Sequence, residues 1–267
     1  MDKKFRLFRI GISILAATFF ISGCMHYPVN KPLTTVDPNS GYRGKLMGQP
    51  GNSDEMMVFL TFSGGGTRAS AFSYGVLEEL RNTEVTINGQ KRMLLHEVDG
   101  ISGVSGGSFT AAYYGLFGDR IFEDFDQKFL KKNVQGGLTR RLLLRPDNWV
   151  RLFSPFFQRS DLAAEYYDKI LFEKKTFRDM EARKGQSPMV HINATDMVTG
   201  IRVAFHQDAF DILCSDLSSY PVARAVTASS AVPVVLTPIT LRNYSNDCGF
   251  TLPKEIERIR REHDISS

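Results

Sequence analysis

The chain has 267 residues, 42% of them apolar and 23% charged, with a formal net charge of +4. That balance suits an ordinary globular protein and excludes a disordered one. Residues 1–23 hold Lys3, Lys4, Arg6 and Arg9 against Asp2, so the rest of the chain is close to neutral overall; nothing in that total argues for nucleic-acid binding.

The first 23 residues read as a processing segment. "MDKKFRLFR" is a basic stretch, and "IGISILAATFF" is an apolar run of signal-peptide length, shorter than the roughly 20 residues of a spanning helix. "ISGC", Ile21–Cys24, follows. It resembles the bacterial lipobox, in which cleavage precedes a cysteine that is then lipidated; a plain signal peptide or short N-terminal anchor is the alternative. Two or three acyl chains on Cys24, palmitate among them, suffice for stable anchoring. Met25, rather than Asp, after the cysteine favours the outer membrane of a bacterial envelope, facing the periplasm or the cell surface. Residues 24–53, with Pro28, Pro32, Pro38 and Pro50, read as an extended, flexible tether, and residues 54–267 as the folded domain.

Within the domain, "MMVFLTF" (Met56–Phe62) is an apolar run of strand length, suited to a buried parallel strand. "SGGGTRAS" follows, then a helical stretch with Phe72, Val76, Leu77 and Leu80 at helical spacing. The pattern repeats: a strand ending near Val104, then a helix of small and aromatic residues after Ser105. Residues 119–185 read as helical, either a cap over a site or an ordinary helical layer; "WVRLFSPFFQRSDL" within them is aromatic and partly basic. "PMVHINATDM" and "RVAFHQD" predict two strands joined near Thr199-Gly200. "PVARAVTASSAVPVVLTPITL" predicts a helix, a break at Pro233 and an apolar strand, and "PKEIERIRREHD" a charged amphipathic helix. Alternating strands and helices predict an α/β domain with a mainly parallel central sheet flanked by helices. Cys214 and Cys248 could pair in an exported chain or stay as buried thiols; the sequence leaves both open.

Two glycine turns carry the chemistry. Gly103-Val104-Ser105-Gly106-Gly107 has the G-x-S-x-G spacing that puts a nucleophilic serine on a sharp strand-to-helix turn, where small neighbours are required. Taken alone it also fits a structural turn. Gly64-Gly65-Gly66 lies at the preceding strand-to-helix junction. Unobstructed N–H groups there suit an oxyanion hole, a phosphate cradle or a tight turn. The loop lacks the Gly-Lys-[Ser/Thr] of a P-loop and the last glycine of the dinucleotide fingerprint. Arg68 next to it would add positive charge or pair with a carboxylate. A serine needs a base, and a histidine placed by a carboxylate is the usual one. His26 lies in the tether, His96 before the strand leading to Ser105, His191 and His206 in strand-like runs, and His263 near the C-terminus. None occupies the loop position typical of a triad histidine.

Together the motifs resemble the patatin-like phospholipase family, in its bacterial lipoprotein branch. "SGGGTR" (Ser63–Arg68) is similar to its oxyanion-hole motif, "GVSGGS" (Gly103–Ser108) to its nucleophile elbow, and "NATD" (Asn193–Asp196) and "ASSAVP" (Ala228–Pro233) to two further blocks, all in family order. The resemblance covers about residues 54–253. It implies a patatin-like three-layer α/β/α fold and a Ser-Asp dyad without histidine. It also implies that Ser105 attacks an ester carbonyl of a phospholipid or other acyl lipid, that Gly64, Gly65 and Gly66 hold the oxyanion, and that no metal or organic cofactor takes part. The chain departs from the family where the aspartate is expected, in a late Asp-Gly-Gly or Asp-Gly-Ala motif. After Pro233 there are only Asp247 and Asp264, neither followed by Gly, and the single Asp-Gly pair, Asp99-Gly100, precedes the elbow. The expectation is a domain truncated before its dyad aspartate, with no general base assigned. Two alternatives stay open: a non-catalytic lipoprotein that binds lipid or a partner, and a histidine-assisted α/β-hydrolase using His206 or His263.

Overall fold

A computed structural model of the chain describes residues 29–47, 49–144, 146–154, 157–233, 235–245 and 247–251. The expected signal segment, Cys24 and the amphipathic helix expected after residue 252 lie outside them. In chain order the elements are β1 (Lys31–Pro32), β2 (Val58–Phe62), α1 (Gly66–Asn82), β3 (Glu84–Ile87), β4 (Gln90–Met93), β5 (Val98–Val104), α2 (Gly106–Phe117), α3 (Val134–Leu144), α4 (Pro146–Leu152), α5 (Arg159–Tyr167), α6 (Phe177–Glu181), β6 (Met189–Thr195), β7 (Arg202–Ala204), α7 (Gln207–Ile212), β8 (Ser215–Asp216) and α8 (Val222–Ser230). Two π-helical turns, Ile121–Leu130 and Asp168–Phe172, complete the helical region between α2 and α6.

The central sheet has the order β2-β5-β6-β7. β2 runs parallel to β5 and β5 parallel to β6, while the short β7 closes antiparallel on β6. This is the expected α/β architecture, a mainly parallel sheet flanked by helices and consistent with a three-layer α/β/α patatin fold. The register explains one glycine: Phe59 stands opposite Gly100, and a Cβ at Gly100 would lie 2.5 Å from the Phe59 ring.

The core sits between the sheet and α2. On the inner face, Phe62, Ile101, Val190 and Ile192 are buried. Against them lies "GGSFTAAYYGLF", buried from Gly106 to Leu116, as expected of a helix with no polar stripe. Gly115 lets it sit directly on Val190, since a Cβ there would come within 2.8 Å of Val190 Cγ2. An aromatic cluster continues outward: Phe109 stacks on Phe129 at 4.6 Å and meets Tyr167 edge-on at 4.8 Å, spacings at which ring pairs attract. α1 packs over α2 through Ser70, Ser73 and Leu77. Phe72, expected on its apolar stripe, instead points outward, because the close approach to α2 selects the serine face.

Three expectations need correction. β2 is not buried on both faces; Phe59 is 60% exposed, and the strand begins at Val58 rather than Met56. Residues 29–47 are no free tether. Tyr42 and Arg43 are buried, and the Tyr42 hydroxyl donates to Val190 O while accepting from Val190 N–H at 2.8 Å. It thereby satisfies the edge of β6 that β7 is too short to reach. The apolar run after Pro233 forms no strand among the described residues. Pro233 and Pro238 remove two ladder donors, and Leu236 and Leu241 pack on the core as loop residues.

Cys214 and Cys248 form a disulfide with a Cα separation of 5.6 Å. The same place is tied by hydrogen bonds: Asn30 exchanges a pair with the Arg242 backbone, and Tyr244 N–H donates to Leu213 O. A crosslink spanning 34 residues limits the unfolded chain by about 3–4 kcal/mol. Cys214→Ser, or a reductant, is therefore expected to lower the unfolding free energy by roughly that amount, read as a drop in denaturation midpoint without loss of the folded baseline. An unchanged midpoint would show that the bond carries no stabilisation.

Candidate active site

β2 and β5 are parallel neighbours, so their C-terminal ends fall side by side, and each end turns into a helix. Phe62 is in register with Gly103, which brings the Ser63–Gly66 turn against the Gly103–Gly107 turn. They touch with no room for side chains. A Cβ on Gly106 would lie 2.1 Å from Gly66 O, and one on Gly107 would lie 2.5 Å from Phe62 O. Gly107 N–H donates to Ser63 O at 3.2 Å. The Ser70 hydroxyl, from α1, donates to Gly106 O at 2.5 Å.

Ser105 is the hinge of the second turn. It has φ 50° and ψ −119°, a conformation that costs a non-glycine residue of order 1–3 kcal/mol and persists only where its surroundings enforce it. The surroundings are specific. Ser108 donates to Ser105 O from both its backbone N–H (3.0 Å) and its hydroxyl (2.6 Å). On the other side Ser105 N–H donates to the Ser229 hydroxyl oxygen at 2.8 Å. The strand just before is fixed as well: Asn193 donates to Gly103 O at 3.0 Å, and Arg202 donates to Asn193 Oδ1 at 3.0 Å. Ser105 thus stands at the N-terminus of α2, where the helix dipole favours negative charge. Gly64 lies directly beside it, its Cβ position 3.2 Å from Ser105 Cβ. Gly65, with φ 141°, is the N-cap of α1, and Arg68 is exposed in the first turn of that helix.

The structure therefore brings together Gly64, Gly65, Gly66, Gly103, Ser105, Gly106 and Gly107. Ser229 and Asn193 come in beside them; their roles were not legible in the motifs that contain them, because contacts between distant segments leave no local pattern. The candidate bases do not join them. His96 lies just before β5, a seven-residue strand and so about 23 Å from Ser105, where it lines a polar cavity of about 520 Å³ with Arg92 and Gln186. Asp99 accepts from Val58 N–H at 2.7 Å and from Asn52 at 3.1 Å, so the Asp99-Gly100 pair has a structural role at that far end. Asp196 is held in the β6–β7 turn by the Thr199 hydroxyl and the Val198 amide, which keep its carboxyl below the usual range. His191 and His206 meet edge-on at 5.8 Å, and burial pushes both imidazoles toward the neutral form. His206 caps α7, its Nδ1 accepting from Ala209 N–H, rather than lying in a strand. Asp264 and His263 lie outside the described residues. Among the described residues, no carboxylate or imidazole hydrogen-bonds to Ser105 Oγ.

The contact geometry of the two turns yields a stability contrast. Gly106→Ala forces its methyl into Gly66 O and is expected to prevent soluble folding or to destabilise by several kcal/mol. Gly75→Ala, in the open middle of α1 with nothing within 4 Å, is expected to stabilise by about 0.5–1 kcal/mol. Thermal melts of the two variants check both signs.

Comparison with known proteins supplies the family. A search of curated proteins returned no match. Among solved structures, human GIVD cytosolic phospholipase A2, determined in complex with methyl γ-linolenyl fluorophosphonate inhibitor and terbium chloride, aligns with 18% identity and a TM-score of 0.44, covering 66% of this chain and 29% of that one. The family model for patatin-like phospholipase matches residues 60–252. That span runs continuously through both glycine turns, the Asn193–Asp196 segment and α8, and on this match the chain belongs to the patatin-like phospholipase family, whose family-level activity is lipid acyl hydrolysis.

Proposed function

We propose that this chain is a lipid-anchored serine hydrolase of acyl esters, phospholipid or a related lipid, working through an acyl-enzyme on Ser105. The observation that carries the reading is the strained Ser105 at the head of α2, with the glycine loop in contact beside it. In the proposed cycle Ser105 Oγ adds to the ester carbonyl and its proton passes to a base. The oxyanion is stabilised by N–H groups of the Gly64–Gly66 turn. The ester C–O bond then breaks, the alcohol leaves with a proton, and water releases the acid from Ser105. The family resemblance gives the base to an aspartate; Asp264, outside the described residues, and Asp247 are the aspartates after α8. Anchoring through Cys24 in the outer membrane of a bacterial envelope belongs to the same proposal. Among the described residues no helix is long and apolar enough to cross a membrane.

A second reading, a lipid-binding member without turnover, is favoured by one observation: no described acid or imidazole engages Ser105 Oγ. A fluorophosphonate probe separates the two. The first reading predicts covalent labelling of the folded chain, abolished in Ser105→Ala and retained when His191 and His206 are both changed to Gln. The Ser229 hydrogen bond, worth about 1 kcal/mol net, predicts a labelling rate about fivefold lower in Ser229→Ala, recovered in Ser229→Thr. A folded chain that takes up no probe would establish the second reading.

A further inference from the structure

The near-neutral total charge conceals a strong local asymmetry. Between residues 131 and 159 the sequence places Lys131, Lys132, Arg140, Arg141, Arg145, Arg151 and Arg159 against a single acid, Asp147. This one stretch is more positive than the whole chain, so the remainder outside it and the leader is net acidic. It also holds the only tryptophan of the protein, Trp149.

The fold turns that stretch into a two-helix arm, α3 followed by α4. Its base is built in. Val134 is buried and Leu138 packs on the core, Arg141 lies over the Tyr166 ring at 4.8 Å, and the buried Asn148 donates to Arg141 O at 3.0 Å, locking α4 to α3. Its tip is different. Leu144, Trp149, Val150 and Phe153 are 69%, 50%, 74% and 66% exposed. Trp149 and Phe153 are four residues apart and share a face of α4 and its end. Along the arm Lys132 and Arg140 are exposed, Arg151 pairs with Glu165 and lies over the Phe157 ring, and Arg159 is exposed at the start of α5. An exposed tryptophan and phenylalanine on an arm with an excess of cations is the composition of a surface that lies in the headgroup layer of a bilayer, apolar side chains down and cations at the phosphates.

We propose that the α3–α4 arm docks the domain on an anionic lipid surface. The contact is independent of any anchor on Cys24 and does not depend on Ser105 being a nucleophile. The one commitment is the bilayer: the excess of cations along the arm selects anionic headgroups, each basic residue near the surface adding attraction. The next helix in sequence is α5, which packs on α8, the helix whose Ser229 holds Ser105.

Because Trp149 is the only tryptophan, its emission in the intact chain reports this tip and not the N-terminus. Vesicles of phosphatidylglycerol and phosphatidylethanolamine are expected to shift the emission to the blue, with quenching when the acyl chains are brominated, and vesicles of phosphatidylcholine alone to need far more lipid. Changing Lys132 and Arg140 to Gln is expected to raise the lipid concentration for half the shift roughly 30-fold, and Val150→Ser to weaken the quenching, with unchanged circular dichroism in both. Unchanged emission while the protein co-sediments with vesicles would overturn the proposal. So would equal response to neutral and anionic vesicles. A shift produced by raising protein concentration without lipid would replace the bilayer by a second copy of the chain.

Discussion

The contact on which the rest depends is that of two backbones without side chains between them, Gly106 against Gly66 O and Gly107 against Phe62 O. Parallel pairing of β2 and β5 puts two strand-to-helix turns at the same height, and the missing Cβ atoms let them close on one another. The closure fixes where α1 and α2 begin and leaves Ser105 in a conformation that an isolated turn would abandon. Hydrogen bonds from Ser108 and to Ser229 offset that strain from opposite sides.

The other features of the fold hold this junction in place. α2 carries no polar stripe and is buried along its length, so its N-terminus cannot shift without disturbing the core. Asn193 ties β6 to the last residues of β5, and Arg202 ties Asn193 to the β7 hairpin. The Tyr42 hydroxyl closes the edge of β6 that would otherwise leave a donor and an acceptor bare, and the disulfide fastens the segment after α8 to the same side of the molecule as β1 and β8. Apart from the Arg202–Asn193 bond within the β6–β7 hairpin, these contacts join segments far apart in sequence, so the geometry at Ser105 is a property of the whole domain.

The protein's surface chemistry divides in the same way. The overall charge is nearly balanced, yet the stretch between residues 131 and 159 carries an excess of cations along its length and exposed apolar side chains from Leu144 to Phe153. Under the proposed anchoring, an N-terminal tether alone would leave the orientation of the domain free, and a second contact with the same bilayer would fix it.

By itself the sequence determined the two glycine turns, the strand and helix on either side of each and the candidate nucleophile, because these rest on local spacing: apolar runs of strand length, and small residues where a backbone must approach closely; the family came from the resemblance of four motifs in order. The family resemblance implied a Ser-Asp dyad, in which no histidine is needed. The sequence did not show that residues 29–47 belong to the domain, that the apolar run after Pro233 forms no strand, or that Phe72 faces outward, since each depends on which surface is left to pack against. Cys214 and Cys248 could be matched only once their Cα atoms were seen 5.6 Å apart. Ser229 shares the point: a hydroxyl in a helix of small residues has no pattern of its own. Only the tertiary structure decided its role, because a hydrogen bond across 124 residues of chain is created by the folding of the sheet.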